Sequence, residues 1–384
     1  VNKLKNFLSK AIFITTLLLI TEIAYSQNFV KKYINSIVND TSDISKPQFL
    51  IYPTVAYAPE TSWEFGLSSL LVFYAKQDTT NRLSEVNGFT FFTLENQYGL
   101  WFDHAIYSDQ DKWFLLGRLR FQSFPLFYHG IGINSPEKYI ARVDANQIFI
   151  KERLLRKVKK NLFVGLEMDF QHLSSVDFVA AEDSNIEQLP LPLGNQGSTN
   201  LGFGIGLVHD NRHNVLNVRK GFFSELALLH YNQSWGSSYD FTSVVSDTRL
   251  YRSVGKNNVF AAQLLGQFNS GNVPFNQLAL LGGESIMRGY YYGRYRDRNQ
   301  LAAQIEYRFL PIPFSFTDRI GAAIFAGAGK VFPEIRSFDL SNIVVSGGAG
   351  IRFLLFPKKD IYTRLDIAFT NEGPGYYLFI GESF

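Results

Sequence analysis

Cysteine is absent from the 384 residues. That removes a disulfide framework, a thiolate metal site and a lipid-modified cysteine anchor together. Long apolar runs are nearly as scarce. The one pronounced run, AIFITTLLLI at 11–20, is shorter than the roughly 20 apolar residues a membrane helix needs. Lys3, Lys5 and Lys10 precede it, and Ala24-Tyr25-Ser26 follows with small residues where a signal peptidase reads. Residues 1–26 therefore read as a cleaved export signal, with a membrane anchor as the alternative. Charge of one sign is missing too. Removing 1–26 takes three lysines and Glu22 with it, so the net charge falls from +3 to +1. A near-neutral chain offers no argument for nucleic acid or for an acidic partner.

What the chain does have is aromatic side chains. Phe and Tyr number 36 and 20 against 4 Trp, yet the mean hydropathy is only −0.04. Strands that are apolar on one face alone reconcile the two. In QLAAQIEYRF (300–309), Leu301, Ala303, Ile305, Tyr307 and Phe309 alternate with Gln300, Ala302, Gln304, Glu306 and Arg308. In KWFLLGRLRF, Trp113, Leu115, Leu119 and Phe121 oppose Arg118 and Arg120; in IYTRLDIAF, Ile361, Leu365, Ile367 and Phe369 oppose Arg364 and Asp366. A period of two puts each set on one face of a strand. A soluble sandwich would turn the apolar face inward, and alternation alone does not separate it from a membrane barrel. Many of the segments run to 10 or more residues, and aromatics such as Tyr57, Tyr74, Tyr107 and Tyr376 cluster near their ends. Both features favour strands that cross a membrane at a tilt between two aromatic girdles.

The expected fold is all-β: a transmembrane antiparallel barrel of about sixteen strands over 47–384, from 48–58 to 375–384. A leader at 27–46 could form a short amphipathic helix, with Phe29, Tyr33, Ile34 and Ile37 on one side. Connections such as SDQD, KVKK, VGKN and PKKD are short, whereas 174–198 and 270–298 are long. Short turns at the periplasmic end and long loops outside are the habit of such barrels.

One long loop carries an unusual motif. LGGESIMRGYYYGRYRDRNQLAAQIEYRF resembles the sixth extracellular loop and the next strand of the BamA/TamA-type outer-membrane assembly factors (the bacterial surface antigen domain). Their [VI]-R-G-[YF] tetrapeptide reads Met287-Arg288-Gly289-Tyr290 here, and E-Y-R is Glu306-Tyr307-Arg308. PTVAYAPETSWEFG, YHGIG, DNRHNVLNVRKG and GAAIFAGAGKV follow in family order. Phe384 closes the sequence as the family's assembly signal does, at the end of a strand whose Tyr376, Leu378 and Ile380 read as lipid-facing. Three departures stand out. POTRA domains are missing ahead of residue 47, Met287 replaces the valine, and the F-x-D-x-G aspartate is Gly327.

The resemblance implies a loop folded into the lumen with its arginine tied to the wall. Glu306 and Asp366 are the acids facing that way, next to the lumen-facing Arg308, Arg352 and Arg364. One or both would hold Arg288, Gly289 would allow the turn, and Tyr290 would pack on the wall. The alternative is a solvated loop touching lipopolysaccharide phosphates. Pro53 in the first strand, with Gly375 and Gly381 in the last, suggests a thin seam between them; a fully zipped barrel is the other possibility. His209 and His213 have a metal-like spacing but fall at a turn, and His104 beside Asp103 has no activated serine to serve. No enzyme, metal or cofactor is expected. The expected work is insertion or translocation of protein or lipid, with a passive pore or a structural barrel as alternatives. Expected partners are outer-membrane lipid and lipopolysaccharide, the barrel assembly machinery for its own insertion, and an unidentified periplasmic partner or client. Intact mass of the membrane-extracted protein should place its first residue at Gln27; retention of residues 1–26 would refute the export signal.

Overall fold

The computed structural model describes residues 43, 45–181, 191–212, 214–215 and 217–384. The export signal and nearly all of the leader lie outside these residues. A single antiparallel sheet of 17 segments closes on itself. In chain order these are β1 (Gln48–Ala58), β2 (Ser62–Tyr74), β3 (Leu83–Thr93), β4 (Tyr98–Tyr107), β5 (Trp113–Ser123), β6 (Leu126–Tyr128), β7 (Ala141–Lys159), β8 (Leu162–Ala180) and β9 (Ser198–Asp210). Then come β10 (Gly221–Tyr231), β11 (Phe241–Val254), β12 (Asn258–Gly271), β15 (Asn299–Phe309), β16 (Ile320–Phe332), β17 (Val344–Phe356), β18 (Ile361–Thr370) and β19 (Gly373–Ile380). β6 resumes the line of β5 after two residues, and both pair with β7, so the wall has sixteen staves. β13 (Ala279–Leu281) and β14 (Tyr295–Asp297) form a separate ribbon within the loop between β12 and β15.

The two faces of the wall settle the choice between sandwich and barrel. Leu166 is 70% exposed and Ile305 51%, whereas Glu306 and Asp366 are 1% and 0%. Apolar side chains point away from the protein and charges into it, the reverse of a soluble core and the arrangement that lipid selects. Connections of ten residues or fewer close one end, called here the short-turn end; the longer connections 124–140, 272–298 and 333–343 lie at the other, beside the tight turns 59–61, 94–97 and 371–372.

Three details differ from the sequence expectation. β7 and β8 each run to 19 residues where segments at 138–155 and 159–173 are expected, so β7 is shifted along the chain and β8 extends to Ala180, paired there with Ala141. Ile361 is buried against Leu50, Leu70, Val72 and Phe356 instead of lying on the outer face, next to a bulge between Leu354 and Phe356 that shifts the register. The last strand stops at Ile380, not 384. Gly381, at φ +94°, turns the chain into the lumen after donating a 2.7 Å bond to the Tyr362 carbonyl.

That turn moves Phe384 off the outer face. Its ring is buried with Val218, Tyr251 and Ala261 at the short-turn end, and the Arg308 guanidinium lies 5.4 Å from it. Truncating a buried phenylalanine costs about 3–5 kcal/mol. Phe384→Ala should therefore lower the temperature at which the purified barrel loses its folded gel mobility. An unchanged transition would mean that the tail does not pack in solution.

Candidate functional site: the lumen loop and its anchor

The loop from Asn272 to Arg298 enters the lumen, and the wall opposite it supplies the anchor. Inward positions of β15, β17 and β18 carry Glu306, Arg308, Arg352, Arg364 and Asp366, all almost completely buried. Arg288 reaches them from the loop, itself only 1% exposed. Its Nη1 donates to Asp366 Oδ2 at 2.6 Å and its Nη2 to Glu306 Oε2. Its guanidinium also lies 3.5 Å from the centre of the Phe325 ring on β16, a cation–π contact.

Each carboxylate is shared. Glu306 Oε1 accepts from Arg308 Nε at 2.6 Å, and Asp366 accepts from Arg352 at 2.5 Å and from Arg364 at 2.9 Å. Two further acids complete the set. Glu284, from the loop, binds Arg364; Glu382, from the tail beyond Gly381, accepts from Arg352 Nε at 3.0 Å. Four arginines thus meet four carboxylates in balance, with Glu306 and Asp366 fully buried, Glu382 nearly so and Glu284 at the edge, its side chain 36% exposed. A buried cation without a partner would be very costly, so this balance is what permits the loop to sit in the lumen.

The rest of the tetrapeptide fits the wall by shape. Gly289, at φ +107°, donates its N–H to the Tyr377 hydroxyl at 2.8 Å. A Cβ there would come within 2.6 Å of Thr370, and a Cβ on Gly375 would stand 3.0 Å from the Gly289 Cα. Both glycines are needed for backbone to meet backbone. The Tyr290 hydroxyl donates to Asn371 Oδ1 at 2.6 Å, and its ring packs edge-on to Tyr295. Met287 is fully buried, and its sulfur lies 3.0 Å from where a Cβ on Gly327 would be. The thioether therefore occupies the space above the position where the assembly factors have their aspartate.

A second tier of contacts caps the lumen. Arg294 Nε bonds Glu372 at 2.9 Å and its Nη1 bonds Ser135. Phe127 stacks between Tyr139 and Tyr291, at 4.0 and 5.1 Å. Sequence reasoning missed Glu284, Glu372, Glu382 and this aromatic stack, since only the fold brings them to the motif. Arg288 and Arg294 are consumed internally, which leaves them unable to serve lipopolysaccharide phosphates, whereas Arg298 stays partly exposed near Glu334. Below the loop remains a cavity of about 680 Å³, lined in part by Glu64, Trp101, Arg118, Arg120, Glu284 and Phe379.

The seam is thin. β1 and β19 share one ladder pair, Tyr57↔Leu378, where β1 and β2 share eleven. Continued in register, Pro53 would face Glu382, but Gly381 has already turned that segment inward. Towards the short turns the gap is bridged by packing, with Tyr52 edge-on to Phe356 at 5.6 Å and Leu50 against Ile361. The histidines take no part. His104 bonds Glu152 at 3.1 Å while Asp103 bonds Arg120 on the other face of the strand. Alternation separates these sequence neighbours, so they cannot form a dyad. His209 packs beside Phe222, and His213 lies outside the described residues.

The Omp85 superfamily domain model matches residues 85–357. The chain belongs to the Omp85 superfamily. Among solved structures, BamA from Haemophilus ducreyi, determined without POTRA domains 1–3, superposes with a TM-score of 0.58 at 12% identity, covering 88% of this chain and 70% of that one. CdiB from Escherichia coli gives 0.55 at 12%, covering 91% and 69%. CdiB from Acinetobacter baumannii gives 0.55 at 10%, covering 87% and 59%. A search of curated sequences found no match. These likenesses establish the fold of this Omp85-superfamily chain, an outer-membrane β-barrel.

Arg288→Ala leaves two shared carboxylates undercompensated in a dry site, at a typical cost of about 3–5 kcal/mol; a solvated arginine would change stability by about 0.5 kcal/mol or less. Loop cleavage by added protease and single-barrel conductance should both rise. If neither changes, the loop does not rest on this anchor.

Proposed function

We propose that this Omp85-superfamily barrel inserts or translocates polypeptide (or lipid) at its thin seam, with the anchored loop holding the lumen shut at rest. One observation carries the reading. The closure between β1 and β19 has a single ladder pair among the described residues; beside it stand apolar packing and the Lys359–Gln48 bond, which water or lipid can replace far more cheaply than a row of backbone hydrogen bonds. Opening the seam would expose an edge of β1, and a free edge templates an incoming strand.

A passive pore fits less well. Conduction needs a hydrated constriction, and here the buried loop residues Met287, Arg288, Tyr290 and Arg294 occupy the lumen. A periplasmic partner would supply client capture. Phe384 would serve as the recognition signal when the barrel assembly machinery inserts this chain, before the residue is tucked away.

The absence of cysteine makes the seam directly testable. Tyr57→Cys with Leu378→Cys places two thiols on facing residues, at a separation a disulfide spans. In vesicles, the reduced variant should speed folding of a urea-unfolded second copy of this chain several-fold, and oxidation should abolish that gain. Equal rates in both states would reject the seam as the working site.

A further inference from the structure

The near-neutral total charge conceals a division between the two ends of the barrel. The short-turn connections at 75–82, 108–112, 156–161, 210–220, 252–258, 310–319 and 357–360 hold 15 Lys and Arg against 6 Asp and no Glu. The opposite connections, over the described residues 59–61, 94–97, 124–140, 191–197, 232–240, 272–298, 333–343 and 371–372, hold 9 Asp and Glu against 6 Lys and Arg.

Position sorts the cations of the basic end into two groups. Those over the mouth are already bonded. Arg82 donates to Asn161 Oδ1 at 2.6 Å, Arg212 to Asp210 at 2.9 Å and Arg219 to Asp360 at 2.6 Å. Six others are exposed, and none makes an ion pair among the described residues: Lys112, Arg156, Lys159, Lys160, Arg252 and Lys256. Arg156 and Arg252 lie on the outward face of their strands, next to exposed apolar side chains, and the four lysines lie in or beside the adjoining turns. Arg156 faces Trp113 in register, its guanidinium 5.8 Å from that ring, and Leu154 and Val158 flank it. Arg252 is flanked in the same way by Leu250 and Val254.

We infer that this circumferential rim binds the headgroups of anionic phospholipids in the leaflet that meets the short turns. A tryptophan at the hydrocarbon boundary, with free lysines and arginines just beyond it, is the arrangement that meets a phosphate layer. A protein docking on the mouth would instead engage the central cations, and those are spent on internal partners. The rim draws anionic lipid to the staves β5, β7, β8, β11 and β12 and leaves the seam, several staves away, in unselected lipid.

The test uses the intact barrel in nanodiscs containing phosphatidylglycerol and phosphatidylcholine, with retained lipids weighed by native mass spectrometry. Each cation near an anionic surface strengthens binding about fivefold at low salt, so phosphatidylglycerol should be retained at least about threefold above its bulk share. Arg156→Gln with Lys159→Gln and Lys160→Gln should remove most of that preference, and Arg252→Gln with Lys256→Gln a further part. Arg336→Gln at the other end should not change it. High salt should abolish the preference, while inorganic phosphate at matched ionic strength should not compete. The inference is overturned if the wild-type barrel shows no preference, or if the rim variants keep it while folding normally. It is equally overturned if they keep it but lose a co-purifying acidic protein, which would make the rim a protein dock.

Discussion

Four buried arginines and the four carboxylates that meet them, Glu306 and Asp366 fully buried among these, decide the shape of this barrel's interior. The members come from five places: three strands of the wall, the long loop, and the segment after Gly381. None could be buried alone, because a charge removed from water without a partner is more costly than the whole stability of a typical domain can absorb. Together they cancel, and every acid is bonded to at least one guanidinium. The cluster therefore behaves as a unit. Loop, tail and wall come to rest in one arrangement because any other leaves charges unmatched.

The wall was readable from the sequence for a simple reason. Lipid outside and polar lumen inside impose a period of two on every stave, and Leu301 to Phe309 show it without help from any other part of the chain. The same parity put Glu306, Arg308, Arg364 and Asp366 on one side. What parity does not carry is anything set by register between distant strands or by a local change of direction. Glu382 shares the outward parity of Tyr376, Leu378 and Ile380, yet it belongs to a segment that has left the strand. Ile361 had the right alternation but sits beside a bulge. Glu284 and Glu372 lie in connections, where no periodicity exists to orient them.

The seam and the wall differ in the kind of bond that closes them. Elsewhere neighbouring staves share ladders of eight or more pairs, as β18 and β19 do, and such ladders are expensive to part in a medium without water. At β1 and β19, Gly381 diverts the chain before the ladder can form, and the side chains thereby sent inward supply Glu382 to the cluster. The interruption of the seam and the completion of the anchor are two results of the same turn.

Met287 and Gly327 touch across the lumen, and this limits which single substitutions the barrel could accept. An aspartate at 327 would run its side chain into the Met287 sulfur. It would also bring a fifth carboxylate to four arginines, and the surplus charge would have no outlet in a dry interior. A valine at 287 alone would leave a void beside Gly327 where the thioether now lies. The two positions are therefore packed against each other: a side chain at 327 requires the Met287 thioether to give way, and a shorter one at 287 leaves room beside Gly327.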